Sequence, residues 1–133
     1  MIFSTDIRLL DSDVLIDVQR RHPPAVEWYA SLPPGSLTLP GHALMELYRN
    51  AKNQQHTLGV ERLTFFFPLI WPSDIEYLQA VKNFRPLHLS HGLGLVDALI
   101  AATALSLSTP LCSFNLKHFR HIIGVVAEQP YLH

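Results

Sequence analysis

Short apolar runs alternate with segments of helical periodicity along the whole chain. The apolar runs predict strands at residues 8–10 with Ile7, 36–39, 68–71 and 111–114, and an edge strand at Val125 and Val126. The helical segments are residues 14–18, 24–32, 42–52, 56–67, 74–84 and 96–107, with a connection at 86–89. Strands that alternate with helices are typical of a parallel sheet covered on both faces. The pattern therefore predicts an α/β fold, a three-layer sandwich whose parallel sheet has four to five strands.

The segment 96–107 is apolar on almost every side, which predicts a helix buried on several sides. Asp97 stands at its start, and Pro110 ends it before the predicted strand at 111–114. Asn115 directly follows that strand. Open α/β sheets keep their functional sites at the carboxyl ends of the strands. We therefore expect Asp97 and Asn115 to lie close together.

Length and composition limit the class of protein. The chain has 133 residues and is 48% hydrophobic, which predicts a single globular domain over residues 1–133. No apolar run is long enough to cross a membrane, and the first residues do not have the basic and apolar regions of a secretion signal. Cys112 is the only cysteine, and its place on a predicted buried strand indicates a packing residue. Together these features favour a cytoplasmic protein.

The charge of the chain is nearly balanced. Its formal net charge is −1, from 10 basic and 11 acidic residues. This balance is not that of a general polyanion binder. If the substrate is a nucleic acid, its binding must depend on a local basic patch and on metal ions.

Four carboxylates and one amide stand at predicted strand ends and helix starts. They are Asp11 and Asp13 after the first strand, Glu46 on the helix after the second, Asp97, and Asn115. Strand ends in a parallel sheet share one edge, so these side chains can converge. Clustered carboxylates repel each other unless cations or protons relieve the repulsion. Oxygen ligands suit hard divalent ions, which points to Mg²⁺ or Mn²⁺, whereas no Cys/His set has the spacing of a zinc site.

Each acid also has a simpler structural interpretation. Asp11 can be a turn acid, and Asp13 can be the N-cap of the first helix, the role we favour for it. Glu46 can pair with Arg49 on a solvated face. Asp97 is stabilised by the helix macrodipole whatever it binds. The joint arrangement is harder to explain in these terms than any single residue.

The motifs at these positions resemble the PIN-domain family, and within it the VapC-type toxins of type II toxin–antitoxin modules. LLDSDVLID at residues 9–17 is similar to the opening strand and acid of that family. ELYRNA at 46–51 resembles its second acidic motif, and DALIAATAL at 97–105 is the closest match. CSFNLKHF at 112–119 resembles its fourth motif. The resemblance covers nearly the whole chain in the right order, although residues 54–85 carry little of it.

This resemblance implies an endoribonuclease dependent on Mg²⁺ or Mn²⁺, with a small antitoxin protein as partner. The residues that it assigns to catalysis are Asp11, Glu46, Asp97 and Asn115, of which the first three are metal ligands. The supporting residues are Ser12, Asp13 and Ser113, and those that contact the RNA backbone are Arg49 and Lys117. Many relatives have a fourth acid where this chain has Asn115, so the number of metal ions, one or two, stays open.

Two other functions stay open. DSDV at residues 11–14 also fits the opening motif of haloacid-dehalogenase-like phosphatases, but these enzymes need a later lysine followed by an acidic pair. After Lys117 this chain has only one acid, Glu128. The second alternative is a PIN-like module that only binds RNA or protein. Asn115 favours this alternative, whereas the three acids argue against it.

Aromatic residues are dense in the middle of the chain, and they predict a homodimer that also binds the antitoxin. They are Phe65, Phe66, Phe67, Trp71 and Tyr77. This surplus exceeds what we expect one small core to bury, and exposed apolar patches usually mark interaction surfaces. The alternative is that these aromatic side chains fill the core.

Overall fold

The computed structural model describes residues 7–33 and 35–132. Its strands are β1 Arg8–Leu10, β2 Leu37–Pro40, β3 Leu69–Ile70, β4 Leu111–Cys112 and β5 Ala127–Glu128. Its helices are α1 Ser12–Gln19, α2 Pro23–Ser31, α3 Gly41–Arg49, α4 Gln54–Thr64, α5 Asp74–His91, α6 Leu95–Leu107 and α7 Leu116–Phe119. The first four strands and the first six helices overlap the residues predicted for them.

The strands form one parallel sheet in the order β3-β2-β1-β4-β5. In the centre, Arg8 of β1 pairs with Leu37 of β2, and Leu9 pairs with Leu111 of β4. The chain moves outward from β1 to β3 and then returns to β4. Right-handed crossovers in the two directions place helices on opposite faces of the sheet. The predicted three-layer α/β sandwich is therefore confirmed, and its topological switch point lies between β1 and β4.

The core lies around the central strands and α6. Leu9, Leu39 and Leu111 are fully buried. The buried residues of α6 are Ala98, Ile100, Ala101, Ala102, Thr103 and Ala104. They occupy several sides of the helix, as predicted, and the small alanine side chains let neighbouring elements approach it closely. Within the described residues, no helix is long and apolar enough to cross a membrane.

The prediction that α5 ends at residue 84, before a connection at 86–89, is wrong. The helix continues through Pro86 to His91, although proline has no N–H group to donate within the helix. Gly92 ends it in the left-handed conformation, with φ 68°, and its N–H donates to the carbonyl of His88. This cap and the packing of α5 along α6 outweigh the local cost of the proline.

The N-cap of α1 is Asp11 and not Asp13, which corrects a second prediction. The Asp11 backbone is extended, with φ −79° and ψ 157°, and its carboxylate accepts a hydrogen bond from the N–H of Ser12. The helix therefore begins two residues earlier than predicted. This shift places Asp13 in the first helical turn, where its side chain is available for contacts with other elements.

Two more predicted boundaries differ from the structure. Leu111 pairs with Ala127, so β5 lies two residues after the predicted edge strand at Val125 and Val126. Helix α4 ends at Thr64 rather than at residue 67. The short turn after it leaves Phe65 and Phe66 with 71% and 90% of their surface exposed.

Candidate active site

Asp11 and Ser113 follow the two neighbouring strands at the topological switch point. Because β1 and β4 are parallel and adjacent, both residues lie at the same edge of the sheet. The Ser113 hydroxyl donates to Asp11 Oδ2 at 2.8 Å, and the N–H of Ser12 donates to Asp11 Oδ1 at 2.8 Å. Asp11 is only 2% exposed. The fold thus holds a carboxyl group in its interior with two donors directed at it.

Asp13 lies beside Asp11 and contacts the segment after β4. Its Oδ2 accepts a hydrogen bond from the N–H of Phe114 at 2.9 Å. Its Oδ1 is buried and accepts no hydrogen bond from the residues that the structure describes, although the neighbouring N–H of Val14 lowers the pKa of the carboxyl group. A buried carboxylate oxygen without a donor is costly, and a cation would relieve that cost. Asp13 is therefore part of the acidic cluster.

The hydroxyl of Ser113 connects the acids to Asn115. Ser113 Oγ accepts a hydrogen bond from the N–H of Asn115 at 3.0 Å. Ser113 Oγ lies 2.8 Å from Asp11 Oδ2 and 3.5 Å from Asp13 Oδ2. Because the hydroxyl has one proton to donate, Asp11 is the favoured acceptor. Asn115 stands at the N-cap position of α7, but its side chain makes no capping bond. The structure therefore holds Asn115 by its backbone beside the acids.

Glu46 and Asp97 approach this edge from two helices. Glu46, on α3, has its Oε1 3.4 Å from the hydroxyl of Ser12. Asp97 lies in the first turn of α6, and a Cβ added at Gly94 would stand 3.3 Å from Asp97 Oδ2. A side chain at position 94 would therefore crowd this carboxylate.

The acids perturb one another electrostatically. The pKa of Asp11 is raised from 3.8 to about 7, chiefly by burial and then by the charges of Asp13 and Asp97, while the hydrogen bond from Ser113 opposes the rise. The pKa of Glu46 is raised by burial and then by the charge of Asp97. The pKa of Asp13 is raised chiefly by burial. Asp97 is thus close enough to act on both Asp11 and Glu46.

The donor set fits a hard divalent cation. Carboxylate oxygens are the ligands that Mg²⁺ and Mn²⁺ prefer, and the unpartnered Oδ1 of Asp13 is an oxygen of this kind. Within residues 7–33 and 35–132, no three His, Cys, Asp or Glu side chains are already placed to hold one ion. An ion bound here would keep water among its ligands or draw the carboxylates closer together. Half-buried Glu46, with one long hydrogen bond, is the acid best able to move.

The two residues predicted to contact RNA lie on the surface around the acids. Arg49 is exposed on α3, one turn after Glu46, and its positive charge lowers the pKa of Glu46. Lys117 is exposed on α7, two residues after Asn115. Arg49 is therefore close enough to act on Glu46, and Lys117 lies on the surface of the helix that follows Asn115.

His118 is a residue of the site that the sequence interpretation did not include. Its Nδ1 lies 3.0 Å from Asp97 Oδ2, and because a carboxylate oxygen accepts, the ring nitrogen donates. The sequence signal was its place three residues after Asn115, but the partner Asp97 is 21 residues away along the chain. His118 therefore orients one oxygen of Asp97.

We expect His118→Leu to weaken Mn²⁺ binding by about 10- to 100-fold, the usual cost of losing a partner that orients a ligand. His118→Asn is the matched control, because its amide N–H can replace the Nδ1–H donor. Calorimetric titration of the three proteins with Mn²⁺ measures the difference. Equal losses in both variants would show that His118 does not act by orienting Asp97.

The fold and its four acids, Asp11, Asp13, Glu46 and Asp97, define a class of protein. This class is the α/β domain with carboxylates at the switch point of a parallel sheet. The sequence pattern of the PIN domain matches residues 8–124. The chain belongs to the PIN-domain family, which confirms the resemblance seen in the sequence motifs. The comparison with curated proteins gave no match.

Solved structures extend the similarity over nearly the whole chain. A toxin–antitoxin complex from Klebsiella pneumoniae is 26% identical with a TM-score of 0.75, over 95% of this chain and 99% of that one. VapBC-1 from nontypeable Haemophilus influenzae is also 26% identical at a TM-score of 0.75, over 93% and 98%. VapC20 of Mycobacterium tuberculosis, described as a sarcin–ricin loop cleaving toxin, is 20% identical at a TM-score of 0.65, over 80% and 88%. The fold is therefore that of VapC-type PIN domains.

Proposed function

We propose that this protein is a metal-dependent endoribonuclease and the toxin of a toxin–antitoxin pair. The observation that carries the proposal is the buried acid pair Asp11 and Asp13 at the switch point. Asp11 is 2% exposed with a raised pKa, and Asp13 keeps one buried oxygen without a donor. A fold retains such a pair at a cost in stability, which a bound cation would offset. The similarity in fold to a sarcin–ricin loop cleaving toxin adds support.

In this proposal Asp11, Glu46 and Asp97 hold the cation, Mg²⁺ or Mn²⁺. When bound, the cation would lower the pKa of a water molecule and stabilise negative charge on the scissile phosphate. Ser113 holds the Asp11 carboxyl group by its hydrogen bond, and Ser12 holds Glu46 in the same way. No protein nucleophile is required by this chemistry.

The remaining site residues have positioning roles in the proposal. Asp13 adds negative charge where Asn115 supplies only an amide. Arg49 and Lys117 contact the phosphates of the RNA backbone, since both side chains are exposed and phosphate contacts usually come from such cations. The cytoplasmic location and the single domain over residues 1–133 stay predictions.

Cleavage of a structured RNA with added Mg²⁺ and with EDTA tests the function. We expect cleavage with Mg²⁺ and none with EDTA. RNA binding without cleavage under both conditions would favour the alternative, a PIN-like module that binds RNA or protein. The match to the PIN domain over residues 8–124 gives no support to the phosphatase alternative.

The antitoxin partner is proposed because solved neighbours are toxin–antitoxin complexes. The homodimer is proposed because large apolar side chains are exposed. Phe67 packs against the core, so the aromatic surplus is smaller than predicted. However, Ile75, Leu78 and Val81 are spaced by three along α5 and are 78%, 63% and 63% exposed. An apolar helix face of this kind usually marks an interface.

Light scattering of the purified protein at micromolar concentration tests the dimer. We expect twice the mass of the chain for wild type and the monomer mass for Leu78→Asp, because a charge cannot be buried unpaired in an apolar interface. Leu89→Asp, which changes a residue 91% exposed at the far end of α5, is the control and should stay dimeric. A monomeric wild-type protein would contradict the prediction.

A further inference from the structure

Trp71 is held in an unusual position directly after β3. Its neighbour across the sheet edge is Gly41, the first residue of α3, which follows β2. A Cβ added at Gly41 would stand 2.5 Å from Cδ2, Cε2 and Cε3 of the indole. Equal distances to three ring atoms mean that the ring lies with one face flat on the glycine. Any larger residue at position 41 would displace the indole.

Two other rings fix the orientation of this indole. The His42 ring meets Trp71 edge-to-face, with 5.5 Å between centroids and 69° between planes. Tyr77 in turn meets His42 edge-to-face, at 6.0 Å and 81°. Trp71 nevertheless keeps 52% of its surface exposed, as expected for a ring covered on one face only. The part of the indole that Gly41 does not cover is therefore accessible to a planar ligand.

This aromatic surface lies next to the acidic site. Trp71 and Gly41 stand at the carboxyl ends of β3 and β2, which is the sheet edge where Asp11 follows β1. His42 and Glu46 are four residues apart on α3, so they share one side of the helix about one turn apart. A ligand on the indole can therefore extend to the acids along α3, where Arg49 adds a positive charge.

We propose that Trp71, oriented by Gly41 and His42, is a stacking site for an unpaired base of the RNA substrate. This inference rests on the proposed ribonuclease function and adds a base-binding residue at the sheet edge that carries the acids. Aromatic side chains bind unpaired bases through their exposed faces. A single flat face in a fixed orientation suits one planar base. The charge of Arg49 and the shared edge with the acids favour a phosphate-bearing ligand over a second copy of this chain.

Binding of a fluorescein-labelled, single-stranded RNA of mixed sequence, measured by anisotropy, tests the stacking site. The measurements use the full chain with Asp97→Asn and Mg²⁺, so that the RNA stays intact. We expect Trp71→Leu to weaken binding by roughly 5- to 150-fold, the range found when a base-stacking aromatic is removed. Trp71→Phe should retain most of the affinity. Binding of a blunt duplex of the same length should not change.

Phe66→Leu is the matched control, because Phe66 is an exposed aromatic residue before β3, at the opposite edge of the sheet. It should bind single-stranded RNA as the parent protein does. Equal affinity of Trp71→Leu and the parent, or equal losses in Trp71→Leu and Phe66→Leu, would overturn the proposal. The proposal would also be overturned if Trp71→Leu converted a dimer to a monomer without loss of RNA affinity. That result would show that Trp71 lies in an interface between copies of the chain.

The stacking proposal and the nuclease proposal fail separately. Cleavage that needs Mg²⁺ and Asp97 but has the same KM in wild type and Trp71→Leu would overturn the stacking site alone. Loss of RNA affinity in Trp71→Leu without any cleavage by the wild-type protein would support the stacking site and overturn the nuclease.

Discussion

We expect Asp97→Asn to reduce RNA cleavage by at least about 100-fold while the protein keeps its fold. Losing a residue that only orients a metal ligand already costs about 10- to 100-fold, and Asp97 is proposed as a ligand. The amide has the same shape, and its oxygen can still accept the hydrogen bond from His118 that Asp97 Oδ2 accepts at 3.0 Å. The variant therefore removes a negative charge with little change in packing.

Cleavage rates with saturating Mg²⁺, compared with thermal melts of both proteins, measure this effect. Ser90→Ala is a suitable control, because Ser90 lies near the end of α5, where its hydroxyl donates to the carbonyl of Pro86 and lies 2.8 Å from Nδ1 of His91. It should cleave at the wild-type rate. Near-normal cleavage by a folded, metal-saturated Asp97→Asn protein would remove Asp97 from the site.

We expect Asp11→Asn to raise the melting temperature of the metal-free protein at pH 8. The pKa of Asp11 is raised from 3.8 to about 7 by burial and by the charges of Asp13 and Asp97. Each unit of such a shift corresponds to about 1.4 kcal/mol, so the buried charge costs on the order of a few kcal/mol. Asparagine carries no charge and can still accept the hydrogen bond from the N–H of Ser12.

The sign of the pH dependence follows from the raised pKa of Asp11. Between about pH 4 and pH 7 the folded protein binds a proton at Asp11 that the unfolded chain has released. The contribution of Asp11 to the free energy of unfolding is therefore full below pH 4 and is lost as the pH rises through about 7. The stabilisation by Asp11→Asn should accordingly be large at pH 8 and small at pH 4.

Mg²⁺ should raise the melting temperature of wild type more than that of Asp11→Asn. A ligand that binds only the folded state adds about 2.7 kcal/mol at a hundred times its dissociation constant. Wild type should gain this stability, whereas Asp11→Asn, which has lost a proposed ligand, should gain less. Thermal melts at pH 4 and pH 8, in EDTA and in Mg²⁺, provide the measurement. If Asp11→Asn melts below wild type in EDTA at pH 8 and both respond equally to Mg²⁺, the acids do not form one metal site.

The alternation of apolar strands and helices determined the fold class, because burial periodicity and turn residues are local properties of the chain. The same local signals placed Asp11 after β1 and Asp97 in the first turn of α6, and parallel strands bring such positions to one edge. The sequence therefore predicted acids at positions that the structure brings to one edge of the sheet. It also predicted Ser113, through its motif resemblance, and the structure shows its hydroxyl bonded to Asp11.

Only the tertiary structure decided the features that depend on contacts distant in sequence. Asp13 looked like a helix cap, but its carboxylate bonds to Phe114, 101 residues away. Pro86 looked like a helix end, but packing against α6 and the cap at Gly92 carry the helix past it. His118 acquired a role only when α7 was brought against Asp97. Local patterns cannot encode these partners, because each depends on which elements the assembled sheet makes neighbours.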